Sequence, residues 1–455
     1  MKLLNLWFVI AGVGGLSMAA LPVFSDEAAG LEALSTLDPV SSSPAVLREA
    51  WKKAEAAGQL ADSRRYCEQY VQALQNHADQ GDAEAMVELG KLMYRGTPSY
   101  PRNLEQARAW FEKAAQAGQA DSQYQLAFMY RNGLGGNKDE ALSAKWYAES
   151  RKNMEARAAG GDGEAAFWVG IMHFKGEGTP EDKKLALQWM EKSAKLGFKM
   201  AAVLLARMYR EGLGTERNEG EAFRWFLKAA EQGQGDAMME TALAYKNAIG
   251  VKRDLAQARH WFSKAANLKN PYALRELAGM MRAGEGGEKD IPQARAYYIQ
   301  AASYGEPLSA VEASRMLAND ENASDDDVKK AREILFAAAD RFRSPLGQYE
   351  LGLFDWKHGD KESGVYWIRT AAMGGYAPAM ARMGTLSLIP FSGVTWNPVA
   401  AWQWWDAAAQ GGNAPARFRA NWLLWGGGGF LLIAVGTFLI WMNRWINRKW
   451  AVEEK

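Results

Sequence analysis

Apolar and small residues recur every three to four positions through most of this chain, in stretches of about a dozen residues separated by glycine. That spacing predicts a succession of short helices, each with one buried face. A first kind of stretch carries residues such as Met86, Leu89, Gly90 and Tyr94; a second kind carries an aromatic pair and two alanines, as in Trp110, Phe111, Ala114, Ala115 and Gly118. Followed by its first aromatic, the second kind returns at Trp146, Trp189, Trp225, Trp261, Tyr297, a worn copy at Ile334, then Trp367 and Trp404. The intervals are 36, 43, 36, 36, 36, 37, 33 and 37 residues. A fixed period of this size is the signature of stacked helix pairs. The long interval holds seven extra residues, around 151–157. Seven residues are close to two helical turns, so the insertion is expected to lengthen a helix without rotating its buried face.

Turn and cap chemistry agree with this reading. Between the two helices of a pair stand Gly133 and Gly135, Gly176 and Gly178, Gly212 and Gly214, Ala248 and Gly250, and Gly284 and Gly286. Glycine reaches the left-handed conformation that ends a helix. The second helix then opens with an acceptor and a partner three residues on: Asn103 and Gln106, Asn218 and Glu221, Asp254 and Gln257, Asp290 and Gln293. This is the capping-box spacing. One pair cannot cover its own apolar face, so neighbouring pairs must stack.

The phrases resemble the Sel1-like repeat, a relative of the tetratricopeptide repeat. The resemblance covers residues 82–412 and weakens near 307–343, where the acidic run from Asp320 to Asp327 replaces the glycine turn. It implies an all-α fold, a right-handed α/α superhelical solenoid of Sel1-like helix pairs. Residues 46–81 read as N-terminal capping helices and 26–45 as a linker.

Both ends of the chain are apolar, and they differ. Residues 1–25 have the layout of a secretory signal, with Lys2, an apolar run and small residues, and cleavage after Ala20 or Ser25. Residues 422–442 are 21 positions without a charge, bordered by Trp422, Trp425, Trp441, Trp445 and Trp450, and predict one C-terminal transmembrane helix. Residues 413–421 then form a juxtamembrane segment. Arg444, Arg448, Lys449 and Lys455 place the tail, 443–455, in the cytoplasm. The repeats would lie outside: in the periplasm of a bacterium, held at the inner membrane, or, as the alternative, in the lumen of the endoplasmic reticulum.

Composition narrows the function. A net charge of +1 argues against nucleic acid as a partner. The single Cys67 excludes an intramolecular disulfide framework and a thiolate zinc cluster. His77, His173, His260 and His358 fall in different repeats with no ligand four residues away, and the G-x-G pairs lack the preceding strand and the Lys of a phosphate loop. The acidic run 320–327 lacks the order of a calcium loop and reads as a solvated loop with helix caps at Asp325–Asp327. The tryptophans, at fixed phase, read as core, with Trp396, Trp402, Trp404 and Trp405 more crowded than the phase requires. No catalytic, cofactor-binding or metal residue is assigned, and no cofactor is expected.

The resemblance implies a non-enzymatic scaffold or adaptor that gathers proteins or peptides of the cell envelope and is attached to the membrane by its C-terminal helix. Two alternatives stay open. One is an envelope hydrolase or a protein binding cell-wall fragments or β-lactams, as is implied for cysteine-rich relatives. The other is a structural subunit of a membrane assembly.

Overall fold

Acceptor side chains set where the helices begin. Asn103, Asn218, Asp254 and Asp290 each accept the backbone N–H three residues on, at 2.9–3.0 Å. Asp82, Asp139, Asp162, Asp182 and Asn397 do the same at helices outside the expected set. The two-way box forms instead in the acidic run. There Ser324 caps, and Asp327 returns a bond to its backbone N–H. The three aspartates fill the first turn, where the helix dipole favours negative charge, so the capping residue is Ser324 rather than an aspartate.

The computed structural model describes residues 43–320, 323–389, 392–417 and 419. It divides into two compact units at Phe198 and Lys199. The first contains α1 (Pro44–Ala56), α2 (Leu60–Asp79), α3 (Ala83–Arg95), α4 (Leu104–Gln116), α5 (Ala120–Asn132), α6 (Glu140–Ala159), α7 (Gly163–Lys175) and α8 (Lys183–Lys195). The second contains α9 (Lys199–Glu211), α10 (Glu219–Glu231), α11 (Gly235–Asn247), α12 (Leu255–Asn267), α13 (Pro271–Ala283), α14 (Ile291–Ser303), α15 (Pro307–Ala318) and α16 (Asp325–Phe336). A π-helical turn, Ala337–Arg341, precedes α17 (Pro345–Lys357), α18 (Lys361–Met373), α19 (Ala377–Leu386) and α20 (Pro398–Gln410). From α3 onward the odd-numbered helices are the first of each pair and the even-numbered ones the second.

The expected transmembrane helix requires correction. Among the described residues no helix is long and apolar enough to cross a membrane. The 20-residue helices α2 and α6 have the length, but charged residues run along them, from Asp62 to Asp79 and from Glu140 to Arg157. Residues 1–42 and 420–455, which include the signal and the span at 422–442, lie outside the described residues. The architecture supported is an all-α array of helix pairs, with no helix among the described residues long and apolar enough to span a membrane.

Each pair is held together where a large side chain of the second helix meets a small residue of the first. The eighth residue of successive first helices is Gly90, Ala127, Gly170, Ala206, Ala242, Ala278, Ser314, Gly352 and Gly384, and every one is buried. Against this column lies the second member of each aromatic pair: Phe111, Tyr147, Met190, Phe226, Phe262, Tyr298, Leu335, Ile368 and Trp405, all buried. A Cβ at Gly90 would stand 2.7 Å from the Phe111 ring, and one at Gly170 would stand 2.7 Å from the end of Met190. These helices touch through backbone.

The first member of each pair departs from the expected core role. Trp110, Trp146, Trp189 and Trp225 are only half-buried, though Trp261 and Trp367 are buried. A lysine three residues on covers four of these rings: Lys113 over Trp110 at 4.1 Å, Lys192 over Trp189 at 4.7 Å, Lys228 over Trp225 at 4.8 Å and Lys264 over Trp261 at 4.4 Å. Residues three apart share a helix face, and an ammonium over an indole face is attractive. Trp146 packs against the buried clusters of two neighbouring pairs, so it works at the seam between repeats. In the last pair Trp405 is buried, its indole N–H donating to the Ala381 carbonyl at 3.1 Å, while Trp396 is exposed.

The insertion behaves as its length requires. Helix α6 runs 20 residues, and its buried Ser143, Tyr147, Ser150, Met154 and Ala158 keep one face throughout. Two earlier helices, α1 and α2, pack on each other ahead of α3 around Leu47, Trp51, Cys67 and Tyr70. The turn glycines do two jobs. Gly250 has φ 69°, and a Cβ there would overlap the carbonyl of Glu219 at the start of the preceding second helix. Turn and neighbouring repeat are thereby pressed together.

Two substitutions test this packing. Gly352→Ala would ordinarily favour a helix, but its Cβ would lie 2.6 Å from Ile368 and 2.8 Å from the Gly364 carbonyl. It is expected to destabilise the protein by about 1–3 kcal/mol in urea unfolding. Lys269 holds φ 60° where other repeats close with glycine. Lys269→Gly is expected to stabilise by about 1 kcal/mol, read as a higher melting temperature.

Candidate functional site

In the second unit the first helices are joined by a ladder of ion pairs. The cation sits one residue before the helix end, and the acid is the sixth residue of the next first helix. Arg210 on α9 meets Glu240 on α11 at 2.8 Å, Lys246 on α11 meets Glu276 on α13 at 2.8 Å, and Arg282 on α13 meets Glu312 on α15 at 2.6 Å. Arg315, earlier on the shorter α15, continues the series to Glu350 on α17 at 3.5 Å. Arg275 adds a second cation to Glu276 and reaches Glu306 at 3.1 Å. Such half-exposed pairs are each worth little and act mainly as a charge pattern.

The first unit differs at the same positions. Arg131 on α5 holds the cation position, but the sixth residue of α7 is Trp168, so the acid comes from the turn. Glu177 is buried, accepts from the Tyr124 hydroxyl at 2.7 Å and lies 3.4 Å from Arg131. Burial, then the Glu177 charge, pushes the Tyr124 and Tyr147 hydroxyls far up, so both stay neutral, and Tyr124 is the one that donates to Glu177.

The ladder of the second unit borders a recess of about 170 Å³ at the departing repeat. Its apolar lining is Val311, Ala318, Leu335, Leu353 and Phe354, and its polar rim is Ser314, Arg315, Asn319, Glu350, Lys357 and His358. Helix α15 stops at Ala318 without a left-handed cap such as Gly284 gives α13, Asn319 taking φ −109°. The π-helical turn lets Gly347 approach so closely that a Cβ there would stand 2.8 Å from Ala338. A buried carboxylate fixes the wall: Asp355, 2% exposed, accepts two bonds from Arg332 at 2.7 and 3.0 Å and one from Ser363 at 2.5 Å. His358 stacks on Phe354 with centroids 4.1 Å apart, and the Lys357 ammonium donates to the Asn319 side chain at 3.4 Å. The recess can take one apolar side chain, and Arg315, Glu350 and Lys357 are the charged groups of its rim.

The residues weighed in the sequence are not brought together. His77 lies 3.6 Å from Asp82, and His260 is an exposed residue set edge-on to Trp261. His173 is buried with Nδ1 unpartnered, and burial, then the Arg151 charge, pulls its pKa down, so it is neutral at pH 7. Only His358 lines the recess. Among the described residues no group of three His, Cys, Asp or Glu could hold a metal ion. Burial, then Glu55 and Glu68, pushes the Cys67 thiol up to about 12, so it is neither ionised nor nucleophilic at neutral pH. The ladder itself was within reach of sequence reading, because Glu240, Glu276 and Glu312, and likewise Arg210, Lys246 and Arg282, return every 36 residues.

The profile of the Sel1 repeat matches eight stretches: 83–119, 120–152, 163–198, 199–234, 235–270, 271–305, 345–376 and 377–413. The chain belongs to the Sel1 repeat family. In this Sel1 repeat protein the unmatched stretch 306–344 contributes half of the recess. Among solved structures it is similar to a protective antigen present in uropathogenic Escherichia coli strains displaying an SLR fold, at 25% identity and a TM-score of 0.49, over 77% of this chain and 81% of that one. It is also similar to a Sel1 repeat protein from Oxalobacter formigenes, at 28% identity and a TM-score of 0.40, over 52% of this chain and 92% of that one. Yeast Tom70 aligns at 14% identity and a TM-score of 0.34, over 83% of this chain and 86% of that one. No curated protein matches the chain.

The ladder gives a pH dependence of definite sign. Burial disfavours the charged form of Glu276, but the hydrogen bonds and charges of Lys246 and Arg275 outweigh it and hold the carboxyl below its usual range. Its stabilisation is therefore present above the unfolded value of about 4.3 and lost as pH falls through the lower folded value. Glu276→Gln is expected to cost about 1–2 kcal/mol at pH 7, with the difference from the parent narrowing below pH 4, as read from urea midpoints.

Proposed function

We propose that this Sel1 repeat protein is a non-enzymatic scaffold for other proteins, and that it grips an extended segment of its partner along the first helices of the second unit. The observation that carries the reading is the recess between α15 and α17. It lies where the repeat departs from its own pattern, it combines an apolar floor with a charged rim, and it adjoins a regular row of charges. An extended chain offers alternate side chains to such a row, one of them seated in the recess. Helix pairs stacked in an array present enough surface for the roughly 800 Å² per partner that a stable complex commonly buries. The apolar and small residues at 1–25 support an extracytoplasmic site of action, with partners among the proteins of the cell envelope.

A photo-crosslinking residue placed at Lys357 tests the grip in cells, with the same residue at the exposed Arg224 on α10 as control. Defined partner bands are expected from position 357 and not from 224. Equal capture at both positions, or none at either, refutes the recess as the docking point. Mass spectrometry of the purified chain checks the location: the mature protein is expected to begin after Ala20 or Ser25, and retention of 1–25 counts against it.

A further inference from the structure

The charge ladder does not end as it proceeds. The sixth residue of α11, α13, α15 and α17 is a glutamate, Glu240, Glu276, Glu312 and Glu350, each meeting a cation from the preceding first helix. On α19 that position holds Arg382. Among the described residues Arg382 has no hydrogen-bond or ion-pair partner, and its Nε is buried. One helical turn on, the Thr385 hydroxyl accepts at 3.3 Å from a second cation, Arg419, whose guanidinium stands 6.0 Å from the Trp405 ring. Burial, then the positive charge of Arg382, pulls the Arg419 pKa down. Two half-buried guanidiniums at one stretch of α19, with no acid paired to either among the described residues, raise the free energy of both. An anion between them removes the repulsion and satisfies the idle donors, and a planar carboxylate matches the guanidinium fork.

We propose that Arg382 and Arg419, with the Thr385 hydroxyl, bind a side-chain carboxylate on an acidic segment of the partner protein. The partner thus supplies the acid that glutamate supplies at each earlier rung. The proposal rests on the scaffold reading and specifies the partner's chemistry. Neighbouring packed helices lie about 8–10 Å apart, and an extended chain advances about 3.3 Å per residue. The acid therefore falls about three residues from the side chain seated in the recess.

The test measures fluorescence anisotropy of labelled Gly/Ser-rich decapeptides with the full-length protein. One peptide carries a Phe followed three residues later by two Glu; its counterpart carries Gln in their place. The Glu peptide is expected to bind about tenfold more tightly. Arg382→Gln and Arg419→Gln should each remove that preference, while Arg417→Gln, at an exposed neighbour, should retain it. Arg382→Glu should abolish it and also raise the melting temperature, because the new carboxylate pairs with Arg419 inside the protein. Equal affinity for the two peptides, or a preference that survives both Gln variants, overturns the proposal. Displacement of the Glu peptide by inorganic phosphate at equal concentration overturns it in favour of a phosphate site. Partner capture from position 357 that is undiminished by Arg382→Gln would likewise defeat the acidic-segment proposal while leaving the scaffold reading standing.

Discussion

The structure depends on the near-contact of two helix backbones within each repeat. A glycine, alanine or serine at the eighth residue of every first helix lets a Phe, Tyr, Met, Leu, Ile or Trp of the second helix lie against main chain. Interiors are close-packed, so this column permits little variation in size. Where the first helix has only hydrogen at that position, the partner side chain can be as large as Trp405 on Gly384. The tolerance in the second residue and the strictness in the first follow from one geometry.

Once the pair is fixed, the rest of the repeat is constrained. The first helix must stop after about 13 residues, and the chain must turn under the start of the preceding second helix, where Gly250 passes the Glu219 carbonyl. The half-buried Trp110 and Trp189 then lie with one side on a buried cluster and the other under a lysine, and Trp146 bridges two such clusters at a seam. Their position explains how a residue can be both regular in phase and incompletely buried. Amphipathic rings are suited to such borders.

Chemical distinctiveness arises where the regular repeat is broken. Helix α15 lacks its closing glycine, the π-helical turn shifts the following chain, and a buried Asp355 with Arg332 and Ser363 holds the altered packing. An unpaired buried carboxylate would be costly, and Arg332 and Ser363 satisfy this one while tying α16, α17 and α18 together at the irregular wall. The recess is therefore a built feature of the second unit. The replacement of the rung glutamate by Arg382 is a second departure, in charge rather than in backbone.

The repeat period, the tolerated insertion and four of the caps were legible in the amino-acid order, because each depends on contacts within one or two turns of a helix, whereas the caps at Asp82, Asp139, Asp162, Asp182 and Asn397 and the box at Ser324 were not picked out. Asn103, Asn218, Asp254 and Asp290 cap as their spacing indicates, and α6 keeps its face through seven added residues. That the second member of every pair is buried while Trp110, Trp146, Trp189 and Trp225 are only half-buried was decided by the tertiary fold, because it depends on how neighbouring helices pack. The pairing of Arg210 with Glu240, the recess around Phe354 and the meeting of Arg382 with Arg419 were decided there too. Their partners stand well apart in the chain, 30 residues in the case of Arg210 and Glu240, and the register that joins them is set by how one helix pair stacks on the next.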